Sequence, residues 1–198
     1  MRREDWDRRY AEVENLWSAK PNRFLVAEVA ALEPGRALDL ACGEGQNAIW
    51  LAERGWRVRG VDYSPVAIAK ARARAHREGI DVDFVEDDLL RLEPEPGAYD
   101  LVLLLYLHLP AKEHRLVLER AGDALAPGGT LVVLGHDLLN ATEGVGGPSD
   151  GSLLYTPDDV ADALTGLEIE KAERVLRDVG GAERPAIDCL VRASRPRG

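Results

Sequence analysis

At 198 residues, 45% apolar and 30% charged, the chain has enough material for one well-buried domain and too little for two. A formal net charge of −10 offers no basic footprint for a nucleic-acid duplex, and two cysteines make no disulfide framework, which suits a reduced, cytoplasmic setting. The longest apolar run, Leu101 to Leu109, is too short to span a bilayer, and the opening MRREDWDRRY has no apolar core of signal-peptide length, so neither membrane residence nor export is expected.

In chain order, Trp6, Tyr10, Val13 and Trp17 recur at helical spacing and predict an amphipathic helix. It belongs to a helical cap over residues 1–34 that is expected to close over the sheet, the alternative being that its end, with Trp17 and Asn22, also caps a pocket. Apolar runs of strand length follow at Ala37–Ala41, Trp56–Val61, Val82–Val85, Asp100–Leu105 and Thr130–Gly135. Helical periodicity lies between them at Gln46–Arg54, Pro65–His76 and Lys112–Ala126. The second helix has Ser64 as its cap, Pro65 at its first position and Gly79 just past its end. Such alternation calls for an α/β architecture, a doubly wound, mostly parallel sheet with helices on both faces. YTPDDVADALTG then reads as a helix capped by Thr156, with Pro157 first and Gly166 at its end. Leu167–Val175 and Ala186–Arg192 are joined by RDVGGAERP, which has no room for a crossover helix. They predict a closing antiparallel hairpin, for seven strands in all, within one domain over 1–198 whose sheet core starts at residue 35.

Chemistry concentrates in ALDLACGEGQNAIWLAERGWRVRGVDYS, residues 37–64. A strand entering a helix through a glycine turn brings backbone N–H groups and the positive end of a helix dipole to one point. Gly43-Glu44-Gly45-Gln46-Asn47-Ala48 fits the loose nucleotide-binding pattern, with Ala48 in the third small position. Three acids sharpen it. Asp39 sits inside the first strand, where a carboxylate is costly to bury without a positive or hydrogen-bonding partner. Asp62 ends the second strand, placed to accept from ribose hydroxyls, and Asp88 follows the third in FVEDDLL, within reach of an adenine edge. In open α/β sheets ligands bind beyond the carboxyl ends of strands, so the three acids predict one rim.

At this point the sequence resembles the class I S-adenosylmethionine-dependent methyltransferases. LDLACGEG is similar to their first motif, GVDYS to the second, FVEDDLL to the third, YDLVLLLYLHLP to the fourth and LAPGGTLVV to the turn into the fifth strand. The resemblance implies a Rossmann-like seven-stranded fold and S-adenosyl-L-methionine as methyl donor, with S-adenosyl-L-homocysteine as product. It implies that Gly43 and Gly45 shape the methionine side with Asp39 nearby, that Asp62 holds the ribose, and that Asp88 meets the adenine amino group with Leu89 beside the ring. Ala41, Asn47, Tyr63 and Leu105 complete the implied donor-side set. Asn47 stands where the family often has a third glycine. The opening WDRRYAEVENLWSAKPNRF and the YLHLP turn resemble the tellurite-resistance and thiopurine methyltransferase branch, compact enzymes acting on small, soft nucleophiles.

Methyl transfer is an in-line displacement, and the protein needs a base only where the acceptor is protonated. Acceptor-side candidates follow the fourth and fifth strands: Tyr106 and His108 in YLHLP, and His136, Asp137 and Asn140 in GHDLLN. His108 suits a base because an imidazole titrates near neutrality, its alternative being a backbone hydrogen bond in the turn before Pro110. His136 is expected to form a polar wall of the acceptor pocket. Adjacent side chains leaving a strand point apart and no third ligand is evident, so His136 and Asp137 are not expected to hold a metal. NATEGVGGPSDGSLLYTP is long and glycine-rich, and a lid near 137–156 with Tyr155 at its hinge is weighed against simple disorder. The fourth motif lacks an Asn/Asp-Pro-Pro-Tyr stretch, which, with the acidity, counts against methylation of bases. The expectation is a methyltransferase acting on a small molecule at sulfur, oxygen, nitrogen or a heavier chalcogen, as monomer or homodimer, with no nucleic-acid or membrane partner. Its competitors are a donor-binding module without catalysis and an NAD-dependent oxidoreductase. The second would not explain Asp88 or the closing hairpin.

Overall fold

The computed structural model describes residues 3–18 and 20–198; Met1, Arg2 and Ala19, which fall in the expected cap, lie outside the described residues. The strands are β1 (Arg36–Leu40), β2 (Arg57–Asp62), β3 (Asp83–Glu86), β4 (Tyr99–Leu105), β5 (Leu125–His136), β6 (Glu168–Arg177) and β7 (Ala186–Ser194). They form one seven-stranded sheet in the order β3-β2-β1-β4-β5-β7-β6. The chain divides into two compact units, residues up to Glu93 with Tyr99–Leu103, and Pro94–Ala98 with Leu104–Gly198.

In the first unit, β1 pairs in parallel with β2 from Arg36↔Arg57 to Leu40↔Val61, and β2 with β3 from Arg59↔Asp83 to Asp62↔Glu86. This register aligns the carboxyl ends of the three strands. Leu38, Leu40 and Val61 are buried, as are Ile49 and Leu51 of α3 (Gln46–Ala52), each burial being worth about 1.5–3 kcal/mol. Helix α4 (Pro65–Glu78) has the expected punctuation: Ser64 Oγ accepts from the Ala67 N–H, Pro65 opens the helix, and Gly79 closes it in the left-handed region. The N-terminal helix is shorter than its pattern. Helix α1 (Arg3–Glu12) stops before Val13 and Trp17, both of which are part-exposed. A further helix, α2 (Arg23–Val29), escaped the periodicity because it is two turns long; Asn22 caps it by accepting from the Phe24 and Leu25 N–H groups.

In the second unit, α5 (Ala111–Ala124) buries His114, Val117, Leu118 and Ala121. Strand β5 starts at Leu125, earlier than expected. Its Ala-Pro-Gly-Gly opening reads as a turn locally, yet the Gly128 N–H donates to the Arg195 carbonyl and the Arg195 N–H to that of Gly129. The closing hairpin forms as its short linker requires, β6 antiparallel to β7 and β7 antiparallel to β5. Between β5 and β6 come α6 (Asn140–Glu143), a 3-10 turn (Gly151–Leu153) and α7 (Pro157–Ala163), the last closed by a capping box between Thr156 and Asp159.

Candidate functional site

At the end of β1 the chain turns back on itself through two left-handed residues: Ala41, at φ 61° despite its side chain, and Gly43. Strain at a non-glycine residue concentrates where a site over-determines the backbone. The Cys42 N–H donates to the Val61 carbonyl, which ties the turn to β2. Gly45, at φ 77°, caps α3; a Cβ there would stand 2.6 Å from the Phe84 ring, so glycine is required by packing as well as by conformation. Asp62 then fastens the turn from the neighbouring strand. One carboxylate oxygen accepts from the Gly43 N–H and the other from the Ser64 N–H, each at 2.9 Å. Burial raises its pKa against these two bonds.

Asp39 lies beneath, fully buried, with the Ala48 N–H as donor and its Oδ2 without any partner. Burial, with Asp62 nearby, pushes its pKa up to about 7. Asp88 joins the same group through the backbone, since the Asp87 N–H donates to the Asp62 carbonyl. The Asp87 side chain accepts from the Asp88 N–H at 2.7 Å, and Asp88 accepts from the Leu90 N–H at 3.0 Å. Tyr63 feels burial first, then Asp62, Asp7 and Asp88, and its hydroxyl is pushed up to about 12. Asp39 and Asp62 are therefore neighbours, and Asp62 and Asp88 both act on Tyr63, with Leu89 buried next to Asp88 in the chain.

An N-terminal cover completes this cluster. Tyr10 places its hydroxyl 3.0 Å from where a Gly43 Cβ would stand, and Trp17 donates its indole N–H to that hydroxyl at 3.4 Å. Glu44 accepts from the Leu16 and Trp17 N–H groups and pairs with Lys70 at 2.5 Å. Lys70 in turn donates to the Tyr10 and Val13 carbonyls. Asp7 accepts from the Ser64 hydroxyl. Asn47, expected on the donor side, accepts from the Asn22 N–H at 3.0 Å and so fixes the start of α2.

The second unit holds the acceptor-side candidates. Tyr106 leaves β4 at φ 56°, another left-handed non-glycine residue, just beyond the buried Leu105. Its hydroxyl donates to Asp188 at 2.8 Å. His108, His136, His114 and Tyr155 form a run of aromatic stacks, His136 on His108, His108 on Tyr155 and Tyr155 on His114. Nδ1 of His108 lies 3.3 Å from the Leu153 carbonyl, so its backbone partner is in the 3-10 turn and not in the turn before Pro110. Burial, helped by His136, lowers its pKa to about 4. His108 is thus neutral and weakly basic, contrary to the near-neutral value expected of it. Asp137 and Asn140 turn out to be anchors: Asp137 accepts from Arg174 and the Leu139 N–H, while Asn140 donates to the Gly146 carbonyl and accepts from the Ile187 N–H. The 137–156 segment is closed at its neck by the Asp137–Tyr155 bridge. Among the described residues no group of three or more His, Cys, Asp or Glu is placed to hold a metal.

Residues 37–129, which contain the glycine turn and all three acids, match the model of a family described as a methyltransferase domain. Over this stretch the chain is similar to methyltransferase domains. A demethylmenaquinone methyltransferase of Thermus thermophilus is 41% identical over 103 residues, 51% of this chain and 47% of that protein. The chain spans about half the length of the curated relatives it matches first. Other relatives are named for ribosomal RNA small subunit, ribosomal protein L11 and trans-aconitate. Two solved structures share the fold: the N-methyltransferase NodS from Bradyrhizobium japonicum, 20% identical with TM-score 0.75 over 98% of this chain and 97% of that one, and TehB from Haemophilus influenzae, 15% identical with TM-score 0.75 over 88% and 62%.

Several residues of the candidate site were not singled out from sequence. Glu44 sits inside the glycine motif but looks like a solvated turn residue, and Lys70 lies in a helix rich in basic residues. Asp188 and Arg177 are spaced far from their partners in sequence, so only the strand register brings them to His136 and Tyr106. A carboxylate within the apolar run AIDCLV was the one available signal for Asp188.

Proposed function

We propose that the protein transfers a methyl group from S-adenosylmethionine to a small-molecule acceptor. The observation that carries the reading is Asp39, a fully buried carboxylate with one oxygen unpartnered, set beside the glycine turn within the matched domain. An uncompensated buried acid favours a cationic ligand, and this methyl donor brings positive sulfonium and ammonium groups. The pyrophosphate of a nicotinamide dinucleotide would instead bring negative charge toward Asp39 and Asp62. In this reading Asp62 accepts from the ribose, Asp88 meets the adenine amino group with Leu89 and Tyr63 alongside, and the N-terminal cover shields the turn from water. When bound, the donor supplies an electrophilic methyl carbon on sulfur; the chain contributes alignment, exclusion of water and a place for the acceptor's proton. The net charge of −10 favours a small acceptor over ribosomal RNA. His108, His136 and Tyr106 are the acceptor-side residues of this reading.

Titration calorimetry with S-adenosylhomocysteine and with NAD tests it. Binding of the former is expected, with an Asp62→Ala variant weakened more than tenfold. Preference for NAD refutes the donor assignment, and an unchanged affinity in Asp62→Ala refutes the ribose contact. Donor binding without turnover on any acceptor class would leave the non-catalytic module.

A further inference from the structure

We propose that His136 receives the acceptor's proton and that Asp188 positions it, which makes the acceptor a hydroxyl or thiol; this deepens the methyl-transfer reading and rests on it. Asp188 on β7 stands opposite His136 on β5 in the strand register, and its Oδ1 lies 3.3 Å from His136 Nδ1. Asp188 is fully buried and is also held by Arg177 from β6, at 2.6 Å and 3.4 Å, and by the Tyr106 hydroxyl at 2.8 Å. Burial alone would raise its pKa, but His136, then Arg177 and Tyr106, outweigh it and hold the carboxyl below its usual range. At 3.3 Å the two are in ion-pair contact without hydrogen-bond alignment, and Nδ1 has no other partner. Since an ionised carboxylate only accepts, we place the hydrogen on Nδ1 of His136 and the ring's lone pair on Nε2. A carboxylate that fixes one imidazole nitrogen as donor leaves the other as an oriented base and stabilises the imidazolium that forms.

The ring itself has little freedom. It stacks on His108 at 5.4 Å between centroids and meets the edge of Tyr106 at 5.4 Å. Gly147 of the 137–156 segment packs against the ring, nearest its Cδ2; a Cβ there would stand 2.5 Å from Cδ2, 2.7 Å from Cγ and 2.8 Å from Nε2, and Gly147 has φ 76°. The groups facing His136 are thus Asp188 from β7, Arg177 from β6 through that carboxylate, Tyr106 and His108 following β4, and Tyr155 behind His108. His108, lowered to about 4, remains neutral and offers no competing base.

The step balances with these groups. The acceptor's O–H or S–H proton passes to His136 Nε2, and the freed lone pair forms the new bond to the methyl carbon. The carbon–sulfur bond breaks with its electron pair retained by sulfur, giving a neutral thioether. The imidazolium, paired with Asp188, then releases its proton to water. A neutral amine has its lone pair available already and needs no such base before transfer.

The test uses the full chain, S-adenosylmethionine, and phenols and thiophenols of graded acidity, reading S-adenosylhomocysteine release. His136→Asn is expected to lower kcat by about 10²–10⁴-fold for weakly acidic phenols and progressively less for thiophenols already ionised in solution, with calorimetric product affinity within about twofold. Asp188→Asn is expected to lower kcat less than His136→Asn and to move the acidic limb of the kcat pH profile. Equal kcat in wild type and His136→Asn, an equal loss for every acceptor, or no turnover of any of them beside tight product binding overturns the proposal. Nitrogen-15 spectra of the wild type guard against misfolded variants: an Nε2–H tautomer at His136 overturns it as well. Failure of the wild type to bind S-adenosylhomocysteine strikes the methyl-transfer reading instead.

Discussion

If Asp39 awaits the donor's positive charge, donor affinity must depend on pH in a calculable way. Its carboxyl is pushed up to about 7 in the free protein, by burial first and Asp62 second. A cation bound beside it favours the ionised form, so binding lowers that pKa and releases a proton. The apparent dissociation constant then scales as one plus the ratio of protonated to ionised free protein. With a free-state value near 7 that factor is about 11 at pH 6 and about 1.1 at pH 8, a loss of about tenfold, or about 1.4 kcal/mol, on acidification. Proton release follows the same titration, about 0.9 per donor bound at pH 6 and about 0.1 at pH 8. Calorimetry in phosphate and in Tris reads both quantities, because the apparent enthalpies differ by the protons released times the buffers' ionisation enthalpies. Asp39→Asn keeps an oxygen for the Ala48 N–H but cannot ionise, so its affinity should be lower at pH 8 and flat down to pH 6. Flat affinity in the wild type, proton uptake on binding, or the same slope in both proteins would refute the reasoning.

Three further outcomes are expected. Lys70→Met removes the counter-charge of Glu44, whose side chain is only 8% exposed, and should cost about 1–3 kcal/mol in urea unfolding while loosening residues 13–18 to proteolysis. Gly45→Ala combines a left-handed backbone with an approach to Phe84, and should lower stability by about 2–4 kcal/mol, whereas an added Cβ at Gly79, which meets nothing within 4 Å, should cost only about 1 kcal/mol. His108 and His114 are both lowered to about 4, chiefly by burial. The unfolded chain therefore binds more protons between about 4 and 6.5, and their stability contribution is full above 6.5 and lost as pH falls through about 4. Asp39 acts with the opposite sign, since its raised value makes the folded state the better proton binder between about 4 and 7. Asp39→Asn should accordingly steepen acid destabilisation and His114→Phe should flatten it, both read as unfolding midpoints in urea from pH 7 to pH 4.

The part of the site legible in the sequence is the part whose determinants are local. A strand, a glycine and an acid at the next strand's end lie within one βαβ unit, so Asp39, Gly43, Gly45 and Asp62 are placed by short-range geometry alone, and Asp88 follows from the parallel register. What escaped depends on pairings that spacing does not reveal. Glu44 and Lys70 hold a segment more than two dozen residues earlier, and α1 ends at Glu12 because residues 13–17 are pulled onto Glu44 and Lys70, overriding a periodicity that continues to Trp17. The same holds for β5, whose Pro-Gly-Gly opening is extended by a partner at Arg195.

His108 and His136 make the contrast at the level of chemistry. The sequence presents two histidines at strand ends with equal claim to act as a base. Their difference arises from residues about 40 to 50 positions away in the chain: the Leu153 carbonyl and a buried aromatic stack for one, the Asp188–Arg177 pair for the other. Burial without a carboxylate makes an imidazole a poor base, while a carboxylate beside one ring nitrogen can orient the other toward an acceptor. A residue's type and position after a strand nominate it for catalysis, then, but the cross-strand partner decides which candidate can hold a proton.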